Sequence, residues 1–148
     1  MKTVKLHFNL KPQTKLRPRL SVRGRGKRRV FKAFTPKKTV IFETHVKDIA
    51  LDYMAKYHLQ PFTGPLEVSI WFYMPRPRTP KNPKSKNWKV HHISTPDLDN
   101  LVKAVLDGLQ GSVFVDDKTI VSLAAHKLYD EYDSLGHVEV LIGEKDID

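Results

Sequence analysis

The chain has 148 residues, with 26 Lys/Arg against 16 Asp/Glu, a formal net charge of +10 and a pI near 9.8. That length suits a single domain with a sizeable core, and the charge predisposes it to a polyanionic partner. Cysteine is absent, which excludes disulfides and thiolate metal sites but leaves zinc held by His and carboxylate open. No apolar run approaches the roughly 18 residues of a membrane span and no signal-peptide pattern opens the chain, so a soluble, cytoplasmic protein with no membrane partner is expected.

The distribution of charge says more than its sum. Residues 1–92 carry 22 Lys/Arg against 4 Asp/Glu, and residues 93–148 carry 4 against 12. An inert binder of phosphate backbone gains nothing from an acidic half. A protein whose basic part binds DNA or RNA while its acidic part holds a cation does.

In chain order, residues 4–10 (VKLHFNL) place Val4, Leu6, Phe8 and Leu10 on one side, which predicts a half-buried strand. A basic arm follows over 11–32, with Arg17, Arg19, Arg23, Arg25, Arg28 and Arg29 and no acid before Glu43. Gly24 and Gly26 loosen its backbone. It reads either as a solvated, partly disordered loop or as a phosphate-tracking arm that orders on nucleic acid. Residues 29–34 have the pattern of a short strand. Phe42, Val46, Ile49, Ala50, Tyr53 and Tyr57 then form one apolar stripe at helical period, with aromatics suited to core packing.

After a turn at 60–65, LEVSIWFYM (66–74) is a second strand, with Val68, Ile70 and Phe72 on one side and Trp71 and Tyr73 on the other. Residues 75–96 contain five prolines, six Lys/Arg, Arg76 and Arg78 among them, and no acid. This excludes a continuous helix or central strand and predicts a second nucleic-acid-contacting loop. A helix over 97–110 shows its stripe in Leu98, Leu101, Val102, Val105 and Leu109, with Thr95 or Asp97 to cap it and Gly111 to stop it. Strands at 119–128 and 137–142 complete an α+β domain, whose sheet is expected to be mixed or antiparallel with helices on one face.

The chemistry concentrates at 91–120. Asp97 and Asp99 stand at the mouth of that helix, Lys103 one turn on, and Asp116 and Asp117 beyond it. Helical residues two apart point about 160° away from each other, whereas in extended chain they share a side. For both aspartates to serve one ion, Asp97 must precede the helix and Asp99 must begin it. Carboxylate oxygens suit a hard cation such as Mg²⁺, which binds a few carboxylates plus water and phosphate. Lys103 then holds phosphate or offsets charge in the transition state. The plainer alternative makes Asp97 and Asp99 helix-start residues, Asp116 and Asp117 a turn, and Asp99 with Lys103 a surface pair. His91 and His92, being adjacent, point to opposite sides of an extended chain.

The run Pro96-Asp97-Leu98-Asp99-Asn100-Leu101, with Lys103, Asp107-Gly108-Leu109, Asp116-Asp117 and Ile120, resembles the signature of the RusA family of Holliday junction resolvases, often carried by prophages. Weaker echoes are Lys15-Leu16-Arg17-Pro18-Arg19, Thr35-Pro36-Lys37-Lys38-Thr39 and Pro75-Arg76-Pro77-Arg78. The resemblance implies one RusA-like domain over 1–148: a Mg²⁺-dependent endodeoxyribonuclease of DNA recombination and repair. It implies a homodimer that nicks two symmetric strands of a four-way DNA junction. By position it implies that Asp97, Asp99 and Asp117 ligate the metal, that Asp116 supports or shares ligation, and that Lys103 is the catalytic lysine. The rival readings are a nuclease preferring flaps or forks, and a non-catalytic basic nucleic-acid-binding protein. The stripe around Phe42–Tyr57, or an exposed strand edge, would serve as the dimer interface.

Overall fold

A computed structural model describes residues 2–76 and 90–146. The main sheet has strand order β1-β6-β4-β5, with β1 at Thr3–Phe8, β4 at Leu66–Met74, β5 at Ile120–Tyr129 and β6 at His137–Glu144. β6 pairs antiparallel with both β1 and β4, whereas β4 and β5 are parallel, so the sheet is mixed. Parallel neighbours need a crossover, and the helix α2 (Leu98–Leu109) lies within it. The longer helix α1 (Lys37–Lys56) lies between the first strand and β4 in the chain.

Period-two alternation decides which side of the sheet is dry. Val4, Leu6 and Phe8, then Leu66, Val68, Ile70, Phe72 and Met74, then Val138, Val140 and Ile142 are buried on one face. Both helices close that face in a single core, α1 through Phe42, Val46, Ala50 and Met54, and α2 through Leu101, Val102, Ala104, Val105 and Leu109. The domain is α+β with its helices on one face of a mixed sheet. Among the described residues, no helix is long and apolar enough to cross a membrane.

Two expectations about α1 change. Its stripe ends on Met54 rather than Tyr57, because residues 42, 46, 50 and 54 repeat every four positions while Tyr57 is the exposed C-cap. The same stripe is consumed by the core, so it is not free to form a dimer interface. The outer edge of β1, which pairs only with β6, is an exposed strand edge.

The basic arm also differs from the loop expected. Arg19–Arg23 (β2) and Val30–Phe34 (β3) pair antiparallel as a separate two-stranded ribbon. Leu20 opposes Ala33 and Val22 opposes Phe31, giving the ribbon its cross-strand contacts. Gly24 (φ +92°) and Gly26 (φ +59°) take conformations that side chains resist, so they close the connection rather than loosen it. A Cβ at Gly24 would lie 2.3 Å from the Arg28 carbonyl oxygen. Of the proline-rich segment, residues 77–89 lie outside the described residues.

α2 begins and ends as its sequence predicts. Gln110 is its C-cap and Gly111 follows at φ +87°, donating its N–H to the Phe114 carbonyl at 2.7 Å. On its buried side the helix touches α1 backbone-close: a Cβ added at Gly108 would sit 2.9 Å from Val46 Cβ and 3.2 Å from the Glu43 carbonyl oxygen. Val46 is fully buried and cannot retreat without disturbing the core. Replacing Gly108 by Ala should therefore destabilise the protein by about 1–3 kcal/mol from overpacking, despite Ala's better helix propensity. Urea denaturation of Gly108→Ala measures this; an unchanged or raised midpoint would refute the tight crossing.

Candidate active site and nucleic-acid interface

The mouth of α2 has the geometry that two nearby aspartates need. Asp97 is the N-cap in extended conformation (φ −70°, ψ 142°), its carbonyl accepting from Leu101 N at 3.2 Å, and Asp99 lies in the first turn. A capping aspartate ordinarily accepts a backbone N–H with its carboxylate. The Asp97 side chain makes no such bond. Asp97, Asp99 and Lys103 are all exposed, and no ion pair joins Asp99 to Lys103 among the described residues.

The segment entering this mouth is held against β5. His92 N bonds the Lys127 carbonyl at 3.2 Å, and Tyr129 N bonds the Val90 carbonyl at 2.9 Å. Lys127 Nζ then donates to the carbonyl oxygens of Ser94 (2.6 Å) and Pro96 (2.7 Å). Lys127 thus positions the residues immediately before Asp97, a role with no local signal in the sequence. His91 is exposed while His92 tilts against Tyr129 at 4.9 Å, on opposite sides as their adjacency requires. Burial, and then the Lys127 charge, hold the His92 imidazole below its ordinary pKa.

Asp116 and Asp117 follow the C-terminal turn of α2 and lead into β5. Asp116 accepts from Lys118 N at 3.0 Å to cap the short turn Asp117–Thr119. This backbone bond, with help from a hydrogen bond to Asp117, sets its carboxyl below the usual range. Asp117 is exposed. The structure does not draw three of the four aspartates into one closed group. Among the described residues, the one His/carboxylate triad with ligand atoms all within 4.8 Å is His7, His137 and Glu139, on the far face of the sheet.

On the basic side, Arg17, Arg19, Arg23, Arg25, Arg28 and Arg29 are exposed on or beside the β2–β3 ribbon, and none is paired with a carboxylate among the described residues. Arg76 is engaged: its Nε donates to the Asp130 carbonyl at 2.7 Å and its guanidinium lies 5.4 Å from the Tyr129 ring. Arg78 lies outside the described residues.

What links the two sides is Lys15, singled out in the sequence only as part of a weak echo. Its ammonium bonds Glu43 of α1 at 2.5 Å and Asp107 of α2 at 3.0 Å, with all three side chains about three-quarters buried or more. Its backbone N–H reaches the Asn100 carbonyl at 3.1 Å, and Leu16 N bonds the fully buried Thr39 hydroxyl at 3.2 Å. The base of the ribbon is therefore fastened to both helices beside the acidic mouth. Burial alone would lower the Lys15 pKa, but its bonds to Glu43 and Asp107 outweigh that and raise it.

A basic ribbon whose arginines have no carboxylate partner among the described residues is thus anchored beside an acidic helix mouth. The model of the family described as "Endodeoxyribonuclease RusA" matches residues 9–142, and the chain belongs to that family of endodeoxyribonucleases. It is also similar to the "Uncharacterized protein YqaN" of Bacillus subtilis (strain 168), at 31% identity over 97% of this chain and 98% of that protein.

Removing the Lys15 ammonium leaves Glu43 and Asp107 facing each other with no cation between them. Lys15→Met should cost about 1–3 kcal/mol, the range for hydrogen bonds to charged groups. A raised lysine pKa contributes fully below the unfolded value of 10.5 and is lost only as pH rises through the folded value. The stability gap between the two proteins should hence be flat between about pH 6 and 9 and close only in stronger alkali. A gap that closes near neutrality in chemical denaturation would contradict this.

Proposed function

We propose that the protein is a Mg²⁺-dependent, structure-selective endonuclease that resolves four-way DNA junctions by paired symmetric nicks, in DNA recombination and repair. The observation that carries this is the free state of the α2 mouth. Asp97 occupies a cap position without capping, forgoing about 0.5–2 kcal/mol of helix stability, and Asp99 and Lys103 stand beside it with no ion-pair partner among the described residues. Local cost without local compensation marks residues kept for a ligand. Family membership supplies the reaction class, and the ribbon supplies the means to hold DNA.

The donor set fits magnesium. Its oxygens are hard, exposed and uncommitted at Asp97 and Asp99, and Mg²⁺ keeps several waters and so does not require a closed protein cage. Asp97 and Asp99 would hold the ion with Asp117, and Asp116 would support or share its ligation. Bound there, the ion supplies charge neutralisation at the scissile phosphate and acidifies an attacking water. Lys103, one turn beyond Asp99 on the same edge, orients a phosphate oxygen and offsets charge as the bond breaks. The exposed arginines track the backbone. Two copies related by a two-fold axis match the pseudo-symmetry of the junction and place the paired cuts.

Incubating the protein with a mobile four-way junction, a flap and a fork in Mg²⁺ or EDTA tests the reading. Symmetric nicks on the junction that vanish with EDTA are expected; preferential cutting of the flap or fork would replace the substrate assignment. Binding without cleavage in any divalent ion would instead favour the non-catalytic alternative. Asp97→Asn and Asp99→Asn should each reduce cleavage by roughly a hundred-fold or more while junction affinity is kept or rises, since a negative charge leaves the phosphate site. Lys103→Ala should lower the cleavage rate more than affinity.

The ribbon makes a separate prediction. Each arginine that contacts phosphate contributes about 0.9 to the slope of log affinity against log salt. Replacing Arg23, Arg25, Arg28 and Arg29 together by Gln should reduce that slope by about 2–4 and leave the melting temperature nearly unchanged. A slope equal to wild type would remove the ribbon from the DNA interface.

A further inference from the structure

On the face of the sheet away from the helices, β1 and β6 bring three ligand-bearing side chains together. His7 and Glu139 are direct cross-strand partners, and His137 lies two residues from Glu139 on the same side of β6. Glu139 Oε1 is 3.5 Å from His137 Nε2 and 3.7 Å from His7 Nδ1, and all three ligand atoms lie within 4.8 Å of one another. Ligands around a tetrahedral zinc at about 2.0–2.1 Å stand about 3.3–3.5 Å apart. The two contacts of Glu139, at 3.5 and 3.7 Å, are close to that spacing.

A second arrangement determines what His137 offers. Asp130 is buried, and its carboxylate accepts from Ser134 Oγ at 2.5 Å and Glu131 N at 2.7 Å. Its Oδ2 lies 2.8 Å from His137 Nδ1. This contact engages Nδ1 and leaves Nε2 as the ring nitrogen beside Glu139, at 3.5 Å. Tyr73 stacks on the His137 ring at 4.2 Å and 9°, fixing its plane. A buried carboxylate orienting a histidine by one nitrogen, with the other directed at a second carboxylate, is how metal-binding histidines are held.

We propose that His7, His137 and Glu139 bind a divalent d-block cation of the zinc class. Two imidazoles and one carboxylate prefer such an ion over magnesium, whose affinity is for oxygen. The His7 ring stacks on His137 at 4.9 Å and 25°, and completing the set would require it to turn out of that stack, for which its 58% exposed side chain has room. The adjoining cleft of about 470 Å³, lined by Tyr73, Asp130, Glu131, Ser134, His137 and Glu139 among others, would leave a fourth coordination position open to water. The site is independent of the α2 mouth, and neither assignment rests on the other. Its ion would pin β1 to β6.

The test is titration of the full-length, EDTA-stripped protein with ZnCl₂ by calorimetry, with the melting temperature followed in parallel. One ion per chain and a raised melting temperature are expected, with millimolar Mg²⁺ failing to compete. His7→Ala and Glu139→Gln, both at partly or largely exposed positions, should weaken zinc binding by about ten-fold or more without unfolding the protein. Asp97→Asn should leave zinc affinity unchanged. Absence of stoichiometric binding, wild-type affinity in both His7→Ala and Glu139→Gln, or loss of binding in Asp97→Asn would each overturn the proposal.

Discussion

Where α1 crosses α2, Gly108 allows the helices to approach to a distance that any side chain there would prevent, and Lys15 bridges the rim of the contact from Glu43 to Asp107. The rotation and height of α2 relative to the core follow from this packing. So does the direction in which Asp99 and Lys103 project, because Leu101, Val102, Val105 and Leu109 face inward and leave those two positions outside. The same ammonium fixes the start of the chain segment that becomes the β2–β3 ribbon. A single crossing therefore couples the basic ribbon to the acidic mouth of α2. In the motif Asp107-Gly108-Leu109, each residue has a structural duty here: ion pair, close approach and core.

The elements that were legible in sequence are those whose signal is local. β4 alternates without interruption over Leu66–Met74, and α2 repeats its apolar positions over a stretch bounded by a cap aspartate and a left-handed glycine. The separation of Asp97 from the helix and Asp99 within it followed from the angular step of the helix once both were taken to serve one ion. Residues 29–34 showed the pattern of a short strand, but its pairing with Arg19–Arg23 was hidden because both strands are largely exposed on both sides, so burial leaves no alternation to read. Tyr57 misled because it matches Tyr53 by helical spacing although the helix has already ended.

Contacts between distant residues were out of reach for a different reason. His7 and Glu139 are adjacent only through the β1–β6 register, and Lys127 meets Ser94 and Pro96 only because the segment before α2 runs along the outer edge of β5. Neither leaves a spacing or a periodicity in the chain. The α2 motif and the triad of Lys15, Glu43 and Asp107 divide along this line: the motif is contiguous, the triad is spread over three elements.

The electrostatic plan explains why two clustered aspartates survive at an exposed helix start. Asp97 and Asp99 repel each other, but they sit at the positive end of the α2 dipole, which favours negative charge within the first turn. That offset is small and is screened by salt, so it stabilises the pair without saturating it. A cation or the arginine ribbon has reason to approach. Had Asp97 donated its oxygens to the helix N–H groups, the first turn would be firmer and the carboxylate poorer as a ligand. Leaving the cap unmade transfers that bonding capacity outward. Under the proposed function, the basic ribbon would have a second purpose beside affinity: it would let a phosphate backbone come near carboxylates that otherwise push it away.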